Sequence, residues 1–372
     1  MSAAAGTKVV VHELAENPAE AIESNVAIEP QAQIDPETLA PDDVIVAVES
    51  ASVGWVDLLM TSGQYQHIPS PPYTPGLEYA GTVLHKGPAA VGVEVGERVL
   101  ADGFLTGPRS LGAHQRWGGW ATWTVAPAHA LRRIPGPLSF DEACNLLGNY
   151  ETAYHCLVAR GKVRQGETVL ILGASGSTGL AAVQLAKLLG AKVIATGRSD
   201  DKLAIVRAQG ADHVINTRQE GGGVRSFRDE VKALTGGRGV DVVYDGVGGE
   251  LSLESLRCTA FGARYLIVGW AATPLVAKGK GGRGAPNANT LPTNLIMMKG
   301  LDVLGCPTVI STVKDPAIRA PRLAQILEWA ERGAIKPYVS HRFDLSDIRA
   351  AMRAKWSGEV IGGGVVHPSR RA

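Results

Sequence analysis

Apolar positions along the chain recur in two rhythms. Up to about residue 140 they come in short runs, among them Asp43-Val-Ile-Val-Ala-Val-Glu49, Tyr79-Ala-Gly-Thr-Val-Leu84 and Arg98-Val-Leu100, separated by turn residues. Strands this short and this evenly punctuated predict a compact, mostly antiparallel β domain. From about 141 the rhythm becomes strand, helix, strand, helix. Thr168–Leu172, Lys192–Thr196, His213–Asn216, Val240–Tyr244 and Arg264–Val268 read as strands, and Leu301–Gly305 offers a sixth. That alternation predicts βαβ units and a parallel sheet with helices on both faces. After about 310 come an amphipathic helix near Arg322–Arg332, another near Ser346–Lys355, and a β-like run, Gly364-Val-Val366. A Gly-, Pro- and Asn-rich connection from about 271 to 293 holds Lys278-Gly-Lys-Gly-Gly-Arg-Gly284. Two readings stay open for it, a solvated mobile loop and a lid over a ligand.

One segment carries a definite chemistry. Thr168-Val-Leu-Ile-Leu172 is apolar throughout, as a central parallel strand is. It runs into Gly173-Ala174-Ser175-Gly176-Ser177-Thr178-Gly179 and then into a good helix former, Leu180–Leu189, ended by Gly190. Gly173 suits a tight turn, Gly176 lets backbone approach a pyrophosphate, and Gly179 lets the helix pack closely on the strand. Phosphates then lie over a helix N-terminus, where unpaired N–H groups and the dipole favour an anion. A glycine triplet alone is weak evidence, but the strand before it and the helix after it make this a dinucleotide-binding signature. The end of the second strand discriminates between cofactors. NAD-binding folds usually place Asp or Glu there, whereas Gly197 occupies that position and Arg198, Ser199 and Lys202 follow. Bases there favour a 2′-phosphate and predict NADPH. Asp200 and Asp201 are competing partners for those bases, and a solvated helix start is the alternative for Arg198 and Lys202.

Bulk properties narrow the class further. Hydrophobic residues make up 45% of the 372 and charged residues 20%, the composition of a globular enzyme long enough for two domains. Basic and acidic residues nearly cancel, 37 against 36, so no global field attracts nucleic acid or a membrane surface. No apolar run approaches the ~20 residues of a membrane span. No secretory signal is visible in the first residues, and a cytoplasmic location is expected. Cys144, Cys156, Cys258 and Cys306 have spacings that match no zinc or disulfide framework, which predicts buried reduced thiols.

Taken in order, the motifs Ser62-Gly-Gln-Tyr65, Tyr73-Thr-Pro-Gly-Leu-Glu-Tyr-Ala-Gly81, Gly118-Gly-Trp-Ala121, Thr152-Ala-Tyr154, Gly173–Gly179, Gly210-Ala-Asp212 and Asp245-Gly-Val-Gly-Gly249 span nearly the whole chain. The chain thereby resembles the medium-chain dehydrogenase/reductase superfamily, and within it the zinc-independent quinone oxidoreductase (zeta-crystallin-like) family. The resemblance implies an α/β chain of two domains. A GroES-like β catalytic domain is made of residues 1–140 and completed by 310–372. A doubly wound Rossmann domain, residues 141–309, binds NADPH on a parallel six-stranded sheet. It also implies an active site in the cleft between the domains and a homodimer or tetramer joined through the last nucleotide-domain strand. Zinc alcohol dehydrogenases of the superfamily use Cys, His and Cys as catalytic ligands. Those positions here are Gly54, Leu77 and Gly148, which offer no ligand, and the structural zinc lobe is replaced by a segment from Gly107 to Trp117. No metal is expected.

A metal-free site holding NADPH still delivers hydride to an electrophilic acceptor, such as a quinone or an activated alkene. The leading expectation is an NADPH-dependent quinone reductase, with an enoyl (enone or acyl-thioester) reductase as the alternative and a non-enzymatic crystallin-like or RNA-binding protein as a remote one. Tyr65 matches the Tyr proposed as proton donor in related enoyl-thioester reductases; a tyrosine that only lines the wall is the competing reading. Gly54 and Leu59 stand where the family often has Asn and Tyr, so Trp55 and Tyr150 become candidates for reshaping the substrate cleft, with Trp55 equally readable as core. Asp57 and Glu78 read as buried carboxylates in hydrogen-bond networks rather than general acids. His67 reads as a surface histidine or a proton relay. The resemblance makes Thr152 and Asn294 cofactor contacts, while Gly246, Val247, Gly269 and Trp270 end strands on the ligand-binding edge of the sheet.

Overall fold

A computed structural model describes residues 6–65, 67–110, 113–273 and 288–368. Lys278–Gly284 and most of the 271–293 connection lie outside the described residues. The chain divides into two compact units, one holding the residues up to Gly148 and again from Lys336, the other lying between Asn149 and Ile335.

In the first unit β1 (Gly6–Val11) and β2 (Val26–Gln31) form an antiparallel pair. β3 (Asp43–Ser52), β4 (Tyr79–Lys86), β5 (Arg98–Ala101), β6 (Trp123–Pro127) and β7 (Leu131–Arg133) follow. The second unit contributes β8 (Thr168–Leu172), β9 (Lys192–Gly197), β10 (His213–Asn216), β11 (Val240–Asp245), β12 (Thr259–Ile267) and β13 (Asp302–Gly305). The chain then returns to the first unit with β14 (Val339–Asp344) and β15 (Gly363–His367). That unit's larger sheet runs β14-β15-β3-β4-β5-β7, with β6 pairing β3. All its pairings are antiparallel except β14 with β15.

Alternating valines put one face of β3 into the core: Val44, Val46 and Val48 pack with Tyr79, Val99 and the fully buried Trp120. Ile348 and Met352 of the helix Ile348–Trp356 close the same cluster, so the C-terminal tail completes this core. Trp120 is fixed by its indole N–H, which donates to the Ser52 carbonyl at 2.9 Å. Its backbone lies so near Gly76 that a Cβ there would come within 2.6 Å, which is why a glycine with φ +98° stands at this turn.

The second unit is a six-stranded parallel sheet in the order β10-β9-β8-β11-β12-β13, the doubly wound Rossmann order. Every residue of β8 is buried, as its unbroken apolar run predicts. The sequence pattern starts β12 at Arg264, but the strand begins at Thr259. Gly262, at φ +73°, reads as a break in one dimension; in the sheet it sits in a bulge, where the pairing of β11 with β12 slips between Val240 and Val242. Among the described residues no helix is long and apolar enough to cross a membrane. All four cysteines are buried free thiols.

Candidate functional site

In the second unit the loops after β8, β9, β11 and β12 gather at the carboxyl edge of the sheet. Gly173 turns the chain at φ +64°, and Gly176 caps the helix Ser177–Leu188 without any side-chain hydrogen bond to its first turn. A Cβ on Gly179 would sit 2.6 Å from the Gly173 carbonyl oxygen and 2.8 Å from the Ala174 Cα, so only glycine lets the helix start this close to the strand end. Gly176 has ordinary clearance, 3.5 Å from the nearest atom, and Ser175, Ser177 and Thr178 are half-buried around it. A twelve-residue helix whose N-terminus is ringed by small residues and capped by no side chain fits a diphosphate.

Opposite this turn, Asp245 ends β11 fully buried. Its carboxylate accepts the N–H groups of Val247 and Gly248, each at 2.9 Å, the Tyr265 hydroxyl at 2.8 Å, and the Ser252 hydroxyl. These bonds hold the Gly246–Gly249 turn, and they aim Val247 at Gly173, where a Cβ would come within 2.6 Å of its Cγ2. The third loop is tied to the second: Ala271 and Ala272 donate to the carbonyls of Gly246 and Val247 at 3.3 and 2.8 Å. Trp270 is half-exposed beside them. Asp245 was legible only as the first residue of a family motif; its signal is an Asp before Gly-x-Gly-Gly, where the side chain closes a turn on its own backbone.

At the end of β9 the structure gives Asp200 a partner other than the neighbouring bases. Asp200 accepts from the Asn216 side chain at 2.9 Å and forms no ion pair with Arg198. Arg198 is exposed and makes no hydrogen bond or ion pair among the described residues, while Ser199 and Lys202 are half-buried. Gly197 is buried against Leu203, 3.0 Å from where its Cβ would stand. Thr152 lies half-buried on the helix Leu147–Tyr154, and Asn294 is exposed in the first turn of the helix Thr293–Lys299. Tyr150 is 2% exposed and donates to Gln184 at 2.6 Å, which makes it a core residue of its unit.

In the first unit the three positions without zinc ligands are closed by carboxylates. Asp57, buried in the helix Trp55–Thr61, accepts the Gly54 N–H at 2.9 Å with one oxygen and those of Gly76 and Leu77, at 3.2 and 2.9 Å, with the other. Glu78 accepts the Gly148 N–H at 2.6 Å. A Cβ on Gly54 would stand 2.9 Å from the Asp57 carboxylate, and one on Gly148 would stand 2.8 Å from both Glu78 oxygens. Burial pushes the Asp57 carboxyl up to about 6, opposed by its three N–H donors and by Arg109. Burial likewise pushes the Lys355 ammonium down to about 8, with Asp57 opposing. Both carboxylates are network residues, as their motif positions predict. Among the described residues no group of three or more His, Cys, Asp or Glu is placed to hold a metal ion.

Trp55 does not stand alone: it stacks on Trp356 at 5.2 Å between ring centroids with the planes 9° apart. Trp356 lies near the other end of the chain, and no local pattern announces the pair. Tyr65 is half-buried, has no hydrogen-bond partner among the described residues, and meets His67 edge-on at 6.3 Å. Partial burial holds the His67 imidazole below its usual range, and Arg109 adds to that.

Known proteins agree with this architecture. The alcohol dehydrogenase GroES-like domain family matches residues 40–136, and the zinc-binding dehydrogenase family matches 177–319. The quinone oxidoreductase-like protein 2 homolog of Nematostella vectensis is 33% identical over 331 residues, 87% of this chain and 82% of that one. Human quinone oxidoreductase is 28% identical over 308 residues, 83% of each. A probable oxidoreductase from Mycobacterium abscessus superimposes with a TM-score of 0.77 at 28% identity, over 98% of this chain and 99% of the other. The glycine turn, the sheet order and these relatives together make the chain a member of the quinone oxidoreductase-like family of medium-chain dehydrogenases/reductases, a family of oxidoreductases.

Proposed function

We propose that the protein is an NADPH-dependent quinone reductase that works without zinc, by direct hydride transfer. The observation that carries this reading is the closure of Gly54, Leu77 and Gly148 by Asp57 and Glu78, in place of metal ligands. Ligands are missing at Gly54, Leu77 and Gly148 together, so no single substitution rebuilds the Cys, His and Cys set. Bound NADPH supplies the hydride. The N–H groups of the Ser177–Leu188 helix start hold the diphosphate, with Gly173, Ala174, Ser175, Gly176, Thr178 and Gly179 shaping the cradle. Arg198, with Ser199 and Lys202, takes the 2′-phosphate. Gly246, Val247, Gly269 and Trp270 floor the nicotinamide end, and Thr152 and Asn294 add polar contacts.

Tyr65 is assigned to the acceptor, with Gly54 and the stacked Trp55 shaping the space for a flat ring. Among the described residues its hydroxyl has no hydrogen-bond partner, which leaves it to donate to a carbonyl oxygen, and the same property favours a second reading. An enoyl reductase needs a proton delivered to carbon, which a quinone reductase does not. NADPH oxidation with 1,4-benzoquinone and 9,10-phenanthrenequinone is therefore expected to exceed that with crotonyl-CoA and 2-alkenals. Turnover of crotonyl-CoA without any quinone turnover reverses the assignment. Tyr65→Phe should slow alkenal reduction about 10²-fold while changing quinone reduction much less. An unchanged alkenal rate reduces Tyr65 to a wall residue.

The quaternary reading is a homodimer through the second unit. Among the described residues β13 is paired on one side only, by β12. Phe261 is 84% exposed and Met297 74%, and Phe261 lies against Gly300, just after the helix that carries Met297. An open strand edge flanked by exposed apolar side chains is a surface that soluble proteins cover. Light scattering should give a dimer mass for the wild type and a monomer mass for Phe261→Asp/Met297→Asp. A monomeric wild type removes the proposal.

A further inference from the structure

The proposed reaction carries an electrostatic requirement that a neutral hydroxyl meets only in part. Hydride added to a quinone or an enone leaves negative charge on the acceptor oxygen, and in a site without a Lewis acid a cation beside the neutral Tyr65 hydroxyl would stabilise that charge further. The Asp57 and Glu78 carboxylates cannot serve, because they are anionic when ionised; Asp57 spends both oxygens on backbone N–H groups and Glu78 accepts the Gly148 N–H.

Arg109 is a cation placed beside the Leu77 turn. A Cβ placed on Gly103 would lie 2.7 Å from the Leu77 carbonyl oxygen and 3.1 Å from Nη2 of Arg109, so the guanidinium and the Leu77 turn share the space over one glycine. That turn is the one Asp57 ties to Gly54. The guanidinium plane is fixed twice: Nε donates to the Gly103 carbonyl at 3.3 Å, and the group lies over the Phe104 ring at 4.5 Å. Neither contact neutralises its charge. Among the described residues Arg109 has no carboxylate within ion-pair distance, and its Nη groups carry no hydrogen bond. A half-buried guanidinium locked in orientation, with its outer N–H groups unspent, is a preorganised donor rather than a floating surface charge. Its field reaches both Asp57, whose carboxyl it draws down, and His67, whose imidazole it disfavours as a cation. Lys355 is the other cation that faces Asp57, but that is the same carboxylate whose two oxygens already serve three backbone donors.

We propose that Arg109 is the oxyanion-binding residue of this site, donating Nη–H bonds to the acceptor oxygen as charge develops there, in the role a metal ion fills in zinc enzymes. The site accordingly selects acceptors whose reduced form is an enolate or a hydroquinone monoanion. This rests on the reductase reading for the identity of the acceptor, although the anion subsite can be tested without turnover.

The probe is 4-nitrophenol, a phenol whose ionised form absorbs visible light and which stands in for a hydroquinone monoanion. Bound to the full chain, its ionisation should move to lower pH by about one unit or more, because a cation in contact favours the phenolate. Arg109→Met should abolish the shift, and Arg109→Lys should retain part of it, with a circular dichroism melt showing both variants folded. In turnover, Arg109→Met should lower kcat about 10²-fold while the KM for NADPH holds, and Arg109→Ala should regain activity when guanidinium is added. A shift that survives Arg109→Met, or one abolished by Lys355→Met instead, overturns the assignment. A wild type that shifts the probe but reduces no quinone or alkene sinks the reductase reading while leaving the subsite standing.

Discussion

Glu151→Ala should remove about 3–5 kcal/mol of folding stability, the largest loss expected from a single substitution among this chain's ion pairs. Glu151 is 1% exposed and faces two arginines on the helix Arg319–Glu331. Arg319 donates through Nε at 3.0 Å and Nη2 at 2.7 Å, and Arg322 donates through Nε at 3.0 Å. Arg322 also reaches the Thr312 hydroxyl at 2.7 Å. Truncating the acid leaves the buried Arg322 without a counter-charge among the described residues and takes the bidentate carboxylate from Arg319, so desolvation of a buried guanidinium is then poorly opposed. Arg322 already shows its reach on His155, whose imidazole burial pushes down to about 4 with Arg322 adding to the effect. Urea denaturation followed by circular dichroism measures the loss. A change under about 1 kcal/mol would mean that the arginines find water when the acid is removed. Glu151 shares the helix Leu147–Tyr154 with Gly148 and Thr152, so losing it should also loosen segments assigned to substrate and cofactor.

Arg198→Ala is expected to raise the KM for NADPH about tenfold or more and to leave the KM for NADH nearly unchanged. A charge-assisted bond from guanidinium to phosphate is worth roughly 1.5–3 kcal/mol when well formed, and exposure of Arg198 puts the effect at the lower end. Of the two competing acids, Asp200 accepts from Asn216, and Asp201 forms no ion pair with Arg198 among the described residues. The difference between the two cofactors should shrink as salt rises, since a solvent-exposed pair is screened. Steady-state kinetics with both cofactors at low and high salt decide the matter. Equal effects on NADPH and NADH would remove Arg198 from the 2′-phosphate.

Several parts of the site were legible because the signal is local. The Gly173–Gly179 turn, the strand before it and the helix after it are neighbours in sequence, and each glycine's role follows from a clash that the next few residues impose. The absence of an acid at Gly197 and of ligands at Gly54, Leu77 and Gly148 needs only the motif order. Asp245, Arg109 and Trp356 were not legible in the same way. Each acts on residues brought to it by folding: Asp245 accepts from Tyr265 across the sheet, Arg109 reaches the Leu77 turn over Gly103, and Trp356 stacks on Trp55 from the C-terminal helix. Tyr150 shows the converse, since its position near a family motif suggested a cleft residue and packing buried it on Gln184.

By itself, then, the sequence determined the two-part α/β architecture, the parallel sheet and the Gly173–Gly179 turn between strand and helix, because apolar period and glycine placement act through bonds and near neighbours. Tertiary structure alone decided which charges are spent and which are available. Asp57 is consumed by three backbone N–H groups, Glu78 accepts the Gly148 N–H, and Asp200 accepts from Asn216. Arg198 and Arg109 keep their charge unpaired among the described residues. The reason is physical: an ion's partner is set by distance and burial in three dimensions, and neither quantity is written in the spacing of residues along the chain.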